Sequence, residues 1–284
     1  MKKILTIACA ALFTFGAFAQ DVNQATDLYN YGANALTDGN RADALNYFQQ
    51  ALAIAKDCGA DGEELVANCQ SVIPQLYIYI AKDFIKAGAY EDAVAKLTEG
   101  IDVCNEMGDE DKAREAANLI PQVYMQQGGA LLKVKDYNAA AEIYSKVLEI
   151  APDNGRAALM LGQAKEKAGD VDAAEQAYVL ATTLGQEKTA NKQLSNLFLK
   201  KSVALLQAKD YAAAQKAAEK SFTYNENQNA YRVAGQAAMN LEDKTTAIQY
   251  FEKFLELAPA DANAPQIREA VAILQKQLAA PAAK

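Results

Sequence analysis

Side chains able to do chemistry are scarce in this chain. It has no histidine and no tryptophan among 284 residues. Without histidine, the usual general base and the commonest metal ligand are both missing. A Ser–His or Cys–His nucleophile cannot be built from this chain alone. No Gly-rich phosphate loop, GxSxG elbow, CxxC pair or metal-spaced cluster occurs. Two acidic runs remain, Glu63-Glu64 and Asp109-Glu110-Asp111. Both fall where helices are expected to start, and acids there complement the helix dipole. An enzyme would need carboxylates converging from distant parts of the chain. No cofactor is expected.

Cysteine usage points the same way. Cys9 lies in the leader described below, which leaves Cys58, Cys69 and Cys104, an odd number that cannot all pair within one chain. Cys58 and Cys104 fall near the ends of equivalent helices, which places them roughly one helix spacing apart, about 8–10 Å. That is beyond disulfide reach, so buried thiols are expected.

Residues 1–19 read as a secretory signal peptide. Lys2 and Lys3 form a basic start, an apolar stretch follows, and Ala17-Phe18-Ala19 is a small-x-small cleavage site before Gln20. The apolar run is too short for a membrane span. Cys9 follows Thr6-Ile7-Ala8, with Thr6 at the place where a lipidation site wants an aliphatic residue, so a lipoprotein is not expected. Cleavage removes two lysines and no acid, taking the formal charge from −8 to −10. A periplasmic or secreted acidic protein is expected, of the type a Gram-negative-like bacterium exports, with no nucleic acid partner and no stable membrane insertion.

The elements that would position any site are helices. The chain is half apolar, rich in alanine and poor in proline and glycine. Two copies of a 34-residue pattern start at Pro121 and Gly155. Gly128, Ala140, Tyr144 and Val147 sit at pattern positions 8, 20, 24 and 27, and Gly162, Ala174, Tyr178 and Ala181 match them. Small residues at 8, 20 and 27 let two antiparallel helices approach, while large groups at 4, 11 and 24 fill the gap. Further copies start near residues 25, 74, 195 and 228. Position 20 is alanine in all six: Ala44, Ala93, Ala140, Ala174, Ala214 and Ala247. Asp136, Asp170, Asp210 and Asp243 share position 16, where a carboxylate can cap the second helix. The fifth copy is the weakest, with Ala218 and Ser221 at positions 24 and 27.

Spacing between copies is uneven: 49, 47, 34, 40 and 33 residues. Ile73-Pro74-Gln75-Leu76-Tyr77 recurs as Ile120-Pro121-Gln122-Val123-Tyr124, each after a helix-compatible stretch. Extra helical turns are expected before these prolines, kinked or restarted at Pro74 and Pro121. Residues 20–24 should be a short disordered lead, residues 264–278 an amphipathic covering helix, and residues 279–284 a frayed tail.

A small residue at 8, Ala at 20 and an aromatic at 24 resemble the tetratricopeptide (TPR) repeat, and the resemblance covers about residues 25–278. It implies an all-α fold: a right-handed superhelical solenoid of about six TPR helix-turn-helix repeats over residues 25–262, closed by a C-terminal capping helix over 263–278. The Tyr-rich set Tyr77, Tyr124, Tyr144, Tyr178 and Tyr231 then belongs to the repeat core rather than to a sugar-stacking platform.

The resemblance also implies that first helices line a concave groove, with positions 2, 5, 9, 12 and 13 facing it. The partner-binding residues so implied are Gln75, Ile78, Lys82 and Lys86, then Gln122, Met125 and Lys133. Next come Arg156, Gln163 and Lys167, then Asn196, Asn229, Arg232 and Gln236. Only Glu166 opposes the basic residues there. Recurrent amides suit an extended backbone and the basic residues an acidic segment. Chaperone-binding TPR domains use Lys at position 5 and Asn at 9 of one repeat, whereas the first repeat here has Tyr29 and Ala33. The expected function is a non-enzymatic protein–protein interaction scaffold of the cell envelope that binds an extended protein segment. Alternatives are a structural self-association module, giving a homo-oligomer, or a glycan-binding protein or enzyme.

Overall fold

A computed structural model describes residues 22–279, so the expected signal peptide and most of the expected tail lie outside the described residues. The described chain forms two compact units, divided between Ile120 and Pro121.

The first unit contains α1 (Val22–Thr37) and α2 (Arg41–Asp57), a hairpin with Ala25, Gly32, Ala44 and Phe48 buried inside it. Val22–Gln24 belong to α1 rather than to a disordered lead. A single tight turn at Gly59–Gly62 leads into α3 (Glu63–Ala87), which pairs with α4 (Tyr90–Met107). Gly100 of α4 approaches Tyr77 of α3 so closely that a Cβ on it would sit 2.8 Å from the Tyr77 Cβ. The unit ends within α5 (Glu110–Lys133). Glu63, Glu64, Glu110 and Asp111 all stand in first turns, as the dipole favours.

The extra helical turns expected before Pro74 and Pro121 are present, but the restart expected as one arrangement there is not. α3 and α5 are single helices that run through Pro74 and Pro121 without restarting. Proline removes one helical donor, but Ile73, Pro74, Leu76 and Tyr77 are all buried, and that apolar burial holds α3 together across the defect.

The second unit begins in the same α5. Its Gly128 lies against the Tyr144 ring of α6 (Tyr137–Ile150). The hairpins α7 (Gly155–Ala168) with α8 (Val171–Ala181), α9 (Glu187–Gln207) with α10 (Tyr211–Tyr224), and α11 (Gln228–Asn240) with α12 (Lys244–Leu257) follow. Finally α13 (Ala264–Ala279) packs Ile267, Val271 and Leu274 against α12. Helices are the only regular secondary structure among the described residues, which hold thirteen α-helices. They form an all-α helical-repeat solenoid.

The repeat arithmetic has direct physical counterparts. Gly32, Gly128, Gly162 and Gly235 (position 8) meet Phe48, Tyr144, Tyr178 and Phe251 (position 24), and a Cβ on any of the four would come within 3.0 Å of the ring. Asp136, Asp170, Asp210 and Asp243 each accept the backbone N–H of the third helical residue. Turn position 15 has positive φ in all six repeats. Three are glycine (Gly39, Gly88, Gly169), and three are Lys135, Lys209 and Glu242, at φ 62° to 65°. In the fifth repeat, Ser221 does not leave a hole. It donates to the Ser195 backbone carbonyl at 2.7 Å, and the two hydroxyls lie 3.1 Å apart. The fifth first helix also starts eight residues before Ser195, at Glu187, which absorbs part of the 40-residue spacing.

Cys69 and Cys104 are buried thiols, and Cys58 is half-buried. Burial pushes the Cys69 thiol up to about 11. Burial, with the Asp109 carboxylate second, raises Cys104 too. A raised thiol pKa leaves little thiolate, the reactive form, at pH 8. In an iodoacetamide pulse at pH 8 read by mass spectrometry, both residues are expected to be protected at least about 100-fold relative to urea-unfolded protein. Their raised folded pKa values also fix a sign for stability. The Cys69 contribution is intact below its ordinary value of 9.0 and is lost as pH rises towards about 11.

Candidate functional site

The exposed polar face of each first helix is the surface left after packing is satisfied. Residues at i, i+4, i+7 and i+11 share one stripe of a helix. On α3 that stripe is Gln75, Tyr79, Lys82 and Lys86, repeat positions 2, 6, 9 and 13. The same positions give Gln122, Gln126, Gly129 and Lys133 on α5, then Arg156, Met160, Gln163 and Lys167 on α7. On α9 they give Asn196, Lys200, Val203 and Gln207. In all six first helices these positions hold no Asp or Glu, although acids outnumber bases 36 to 28 in the whole chain, and on α11 position 6 is the buried Val233. The excess negative charge therefore sits elsewhere, and these stripes are neutral or basic.

In the first unit, Ile78 does not belong to an exposed face. It is 0% exposed, whereas the next residue, Tyr79, is 44% exposed. α3 is contacted by α1, α2 and α4, so more of its circumference is covered than one hairpin would cover. The exposed stripe therefore passes through position 6. Tyr79 is the residue that repeat counting missed, and its signal was a large aromatic one place from an apolar residue. Arg41 and Lys82 lie 5.6 and 5.8 Å from the Tyr79 ring centroid. Lys112 donates to Gln75 at 2.6 Å and to Glu115 at 2.7 Å. Asp83 is engaged by Arg41 at 2.5 Å and lies 3.8 Å from Lys86. Lys82 has no carboxylate within 4.0 Å among the described residues. Gln75, Lys82 and Lys86 thus do share one stripe, with Tyr79 at its centre.

In the second unit, Met125 is half-buried against the Tyr144 cluster and serves packing. Gln122, Lys133, Arg156, Lys167 and Gln236 are exposed, while Gln163, Asn196, Asn229 and Arg232 are half-buried. The Lys167 ammonium stands 5.8 Å from the Tyr137 ring centroid. Arg232 and Gln236 converge with Asn263 and Gln266 on a small cavity of 120 Å³, and the Arg232 Nε is buried there without a hydrogen-bond partner among the described residues.

Glu166 is not an idle opposing charge. It accepts from the Tyr178 hydroxyl at 2.9 Å and from Lys200 at 2.6 Å. Burial, and then the Glu166 charge, push the Tyr178 phenol far above its ordinary value, so it stays a donor at every physiological pH. Beside this pair a cleft of 580 Å³ opens between α8 and α9, lined by Val171, Leu197, Lys200, Lys201, Ala204 and Leu205 among others. Among the described residues no group of His, Cys, Asp and Glu could hold a metal ion, and no helix is long and apolar enough to cross a membrane.

Stacked helical hairpins with exposed, polar first-helix faces define the class of helical-repeat interaction proteins. Two tetratricopeptide-repeat family profiles match residues 131–187 and 199–262. The chain is a tetratricopeptide-repeat protein. No curated protein matches it. Among solved structures, it is similar to the MamA protein at 19% identity, over 67% of this chain and 94% of that one, with a TM-score of 0.37. YrrB, described as a TPR protein with an unusual peptide-binding site, matches at 18% identity over 68% and 91%, TM-score 0.37. The C-terminal part of a TPR repeat-containing protein from Cytophaga hutchinsonii matches at 15% over 84% and 98%, TM-score 0.42. Likenesses this weak carry no argument about shape or partner. Tetratricopeptide repeats are in general non-catalytic scaffolds for protein–protein interaction.

Proposed function

We propose that this protein is a non-enzymatic scaffold of the cell envelope, exported by the leader at residues 1–19, that binds an extended, acidic segment of a partner protein on its first-helix faces. One observation carries this reading: the stripes at positions 2, 6, 9 and 13 exclude Asp and Glu in a chain of formal charge −8. Recurrent amides at position 2 (Gln75, Gln122, Asn196 and Asn229) suit the backbone of an extended segment, and the basic residues suit its acidic side chains.

The test is a random peptide library panned against protein beginning at Gln20. Acidic peptides are expected to be enriched, with affinity that falls as salt rises. Lys133→Glu, Arg156→Glu and Lys167→Glu combined change three exposed residues of the second unit. The triple variant is expected to lose at least about tenfold in affinity for those peptides with its melting temperature nearly unchanged. Enrichment without acidic bias, or unchanged affinity of the triple variant, would overturn the reading.

A further inference from the structure

The cleft between α8 and α9 has a local cause. The helical backbone that begins at Val171 breaks only at Leu184 and Gly185, and α9 then runs for 21 residues. Between α8 and α9, the turn Thr182–Gln186 reverses through Gly185 at φ 81°. Leu184 in that turn seats against Gly155 at the start of α7. The near end of α9 is pinned there, with Ala190 buried against Ala158 and Ala181. α9 meets both α8 and the Thr182–Gln186 turn. At the far end Val171 faces Leu205 and Ala208 across open space.

The floor of this cleft is apolar: Val171, Leu197, Ala204 and Leu205. Its mouth is basic, with Lys200 and Lys201. The two lysines are held differently. Lys200 pairs with Glu166, which is 17% exposed and fixed by the Tyr178 hydroxyl. Lys201 reaches Asp172 only at 3.7 Å, and Asp172 is 85% exposed. A long, exposed ion pair of that kind contributes little, so an incoming carboxylate can replace Asp172 at small cost.

From this geometry we infer that the cleft is a side-chain pocket. It takes a leucine- or phenylalanine-sized residue of a bound peptide, while a neighbouring acidic residue pairs with Lys201. The inference rests on the acidic-segment reading above and refines it: the preferred ligand alternates acidic with bulky apolar residues. A 580 Å³ cleft has room for such a side chain, and burying it on an apolar floor supplies affinity that charge alone does not.

The probes are two fluorescein-labelled dodecapeptides, one alternating aspartate with leucine, the other aspartate with alanine, titrated by anisotropy into protein beginning at Gln20. The leucine peptide is expected to bind at least about tenfold tighter. Ala204→Phe and, separately, Ala208→Leu fill the cleft from exposed positions and are expected to remove that preference while leaving the alanine peptide's affinity unchanged. Lys201→Glu is expected to weaken the leucine peptide about tenfold. Equal binding of both peptides overturns the pocket and leaves the acidic reading standing. Binding of neither overturns both. A leucine preference that survives both filling variants shows that the side chain goes elsewhere and overturns the pocket.

Discussion

Truncation of Tyr178 to alanine is expected to destabilise the second unit by about 3–5 kcal/mol, among the largest effects any single side chain here can have. The ring is fully buried, and its Cδ1 lies 2.5 Å from where a Gly162 Cβ would stand. The ring thus fills a space that α7 leaves empty because position 8 is glycine. Removing it opens a cavity that Gly162 cannot fill, and it takes away the hydroxyl donor on which Glu166 rests. For a unit of this size the loss corresponds to roughly 6–20 °C in melting temperature. Tyr178→Phe keeps the ring and loses one charge-assisted hydrogen bond, at about 1.5–3 kcal/mol. A double-mutant cycle identifies the cause. Gly162→Ala is damaging beside Tyr178 and is expected to be harmless or restorative beside alanine. Equal cost in both backgrounds would show that the ring's burial against other neighbours, not its fit to Gly162, sets the loss.

That same contact shows why so much of the fold could be read from the chain. A glycine at position 8 and an aromatic at 24 are one physical object, a backbone that lets a ring in, and both halves are visible as residue types. The aspartates at position 16 are equally legible, because capping needs a short acceptor three residues before its donor. The left-handed turn residue is legible at Gly39, Gly88 and Gly169 but hidden at Lys135, Lys209 and Glu242. There the hairpin imposes a conformation costing roughly 1–2 kcal/mol that the residue type does not announce. Pro74 and Pro121 are only half legible, for the opposite reason. The helical turns before them could be read, but locally a proline allows a restart, whereas α3 and α5 run through them. A proline's lost hydrogen bond is a local quantity, and the burial of Ile73, Leu76 and Tyr77 is not.

The candidate surface was legible only as chemistry. That amides and bases recur on first helices follows from the sequence; which of them face out does not. Ile78 and Tyr79 are neighbours, and a shift of one residue exchanges a core position for an exposed aromatic between two cations. The cleft at Lys200 and Lys201 was not legible at all. It lies beyond a turn that leans on α7 through Leu184 and Gly155, and repeat counting cannot measure how far two helices diverge.

Gly155 seats the turn that precedes α9, and Gly155→Ala is expected to cost about 3 kcal/mol, at the upper end for overpacking. A Cβ there would lie 2.1 Å from the Leu184 carbonyl oxygen and 2.9 Å from its Cβ. The first obstacle is backbone, so no rotamer change relieves it. The turn Thr182–Gln186 must move, and α9 begins where that turn ends. Melting should fall by roughly 6–12 °C. Below the transition, the leucine peptide should also lose its advantage over the alanine peptide, since the cleft floor on α9 shifts relative to Val171. Gly169→Ala is the control. It too replaces a glycine in the same hairpin, at φ 88°, but meets nothing within 4 Å. It should cost about 1–2 kcal/mol from backbone strain alone and leave peptide preference intact. If Gly155→Ala melts like the wild type, the turn is soft and does not set the opening between α8 and α9.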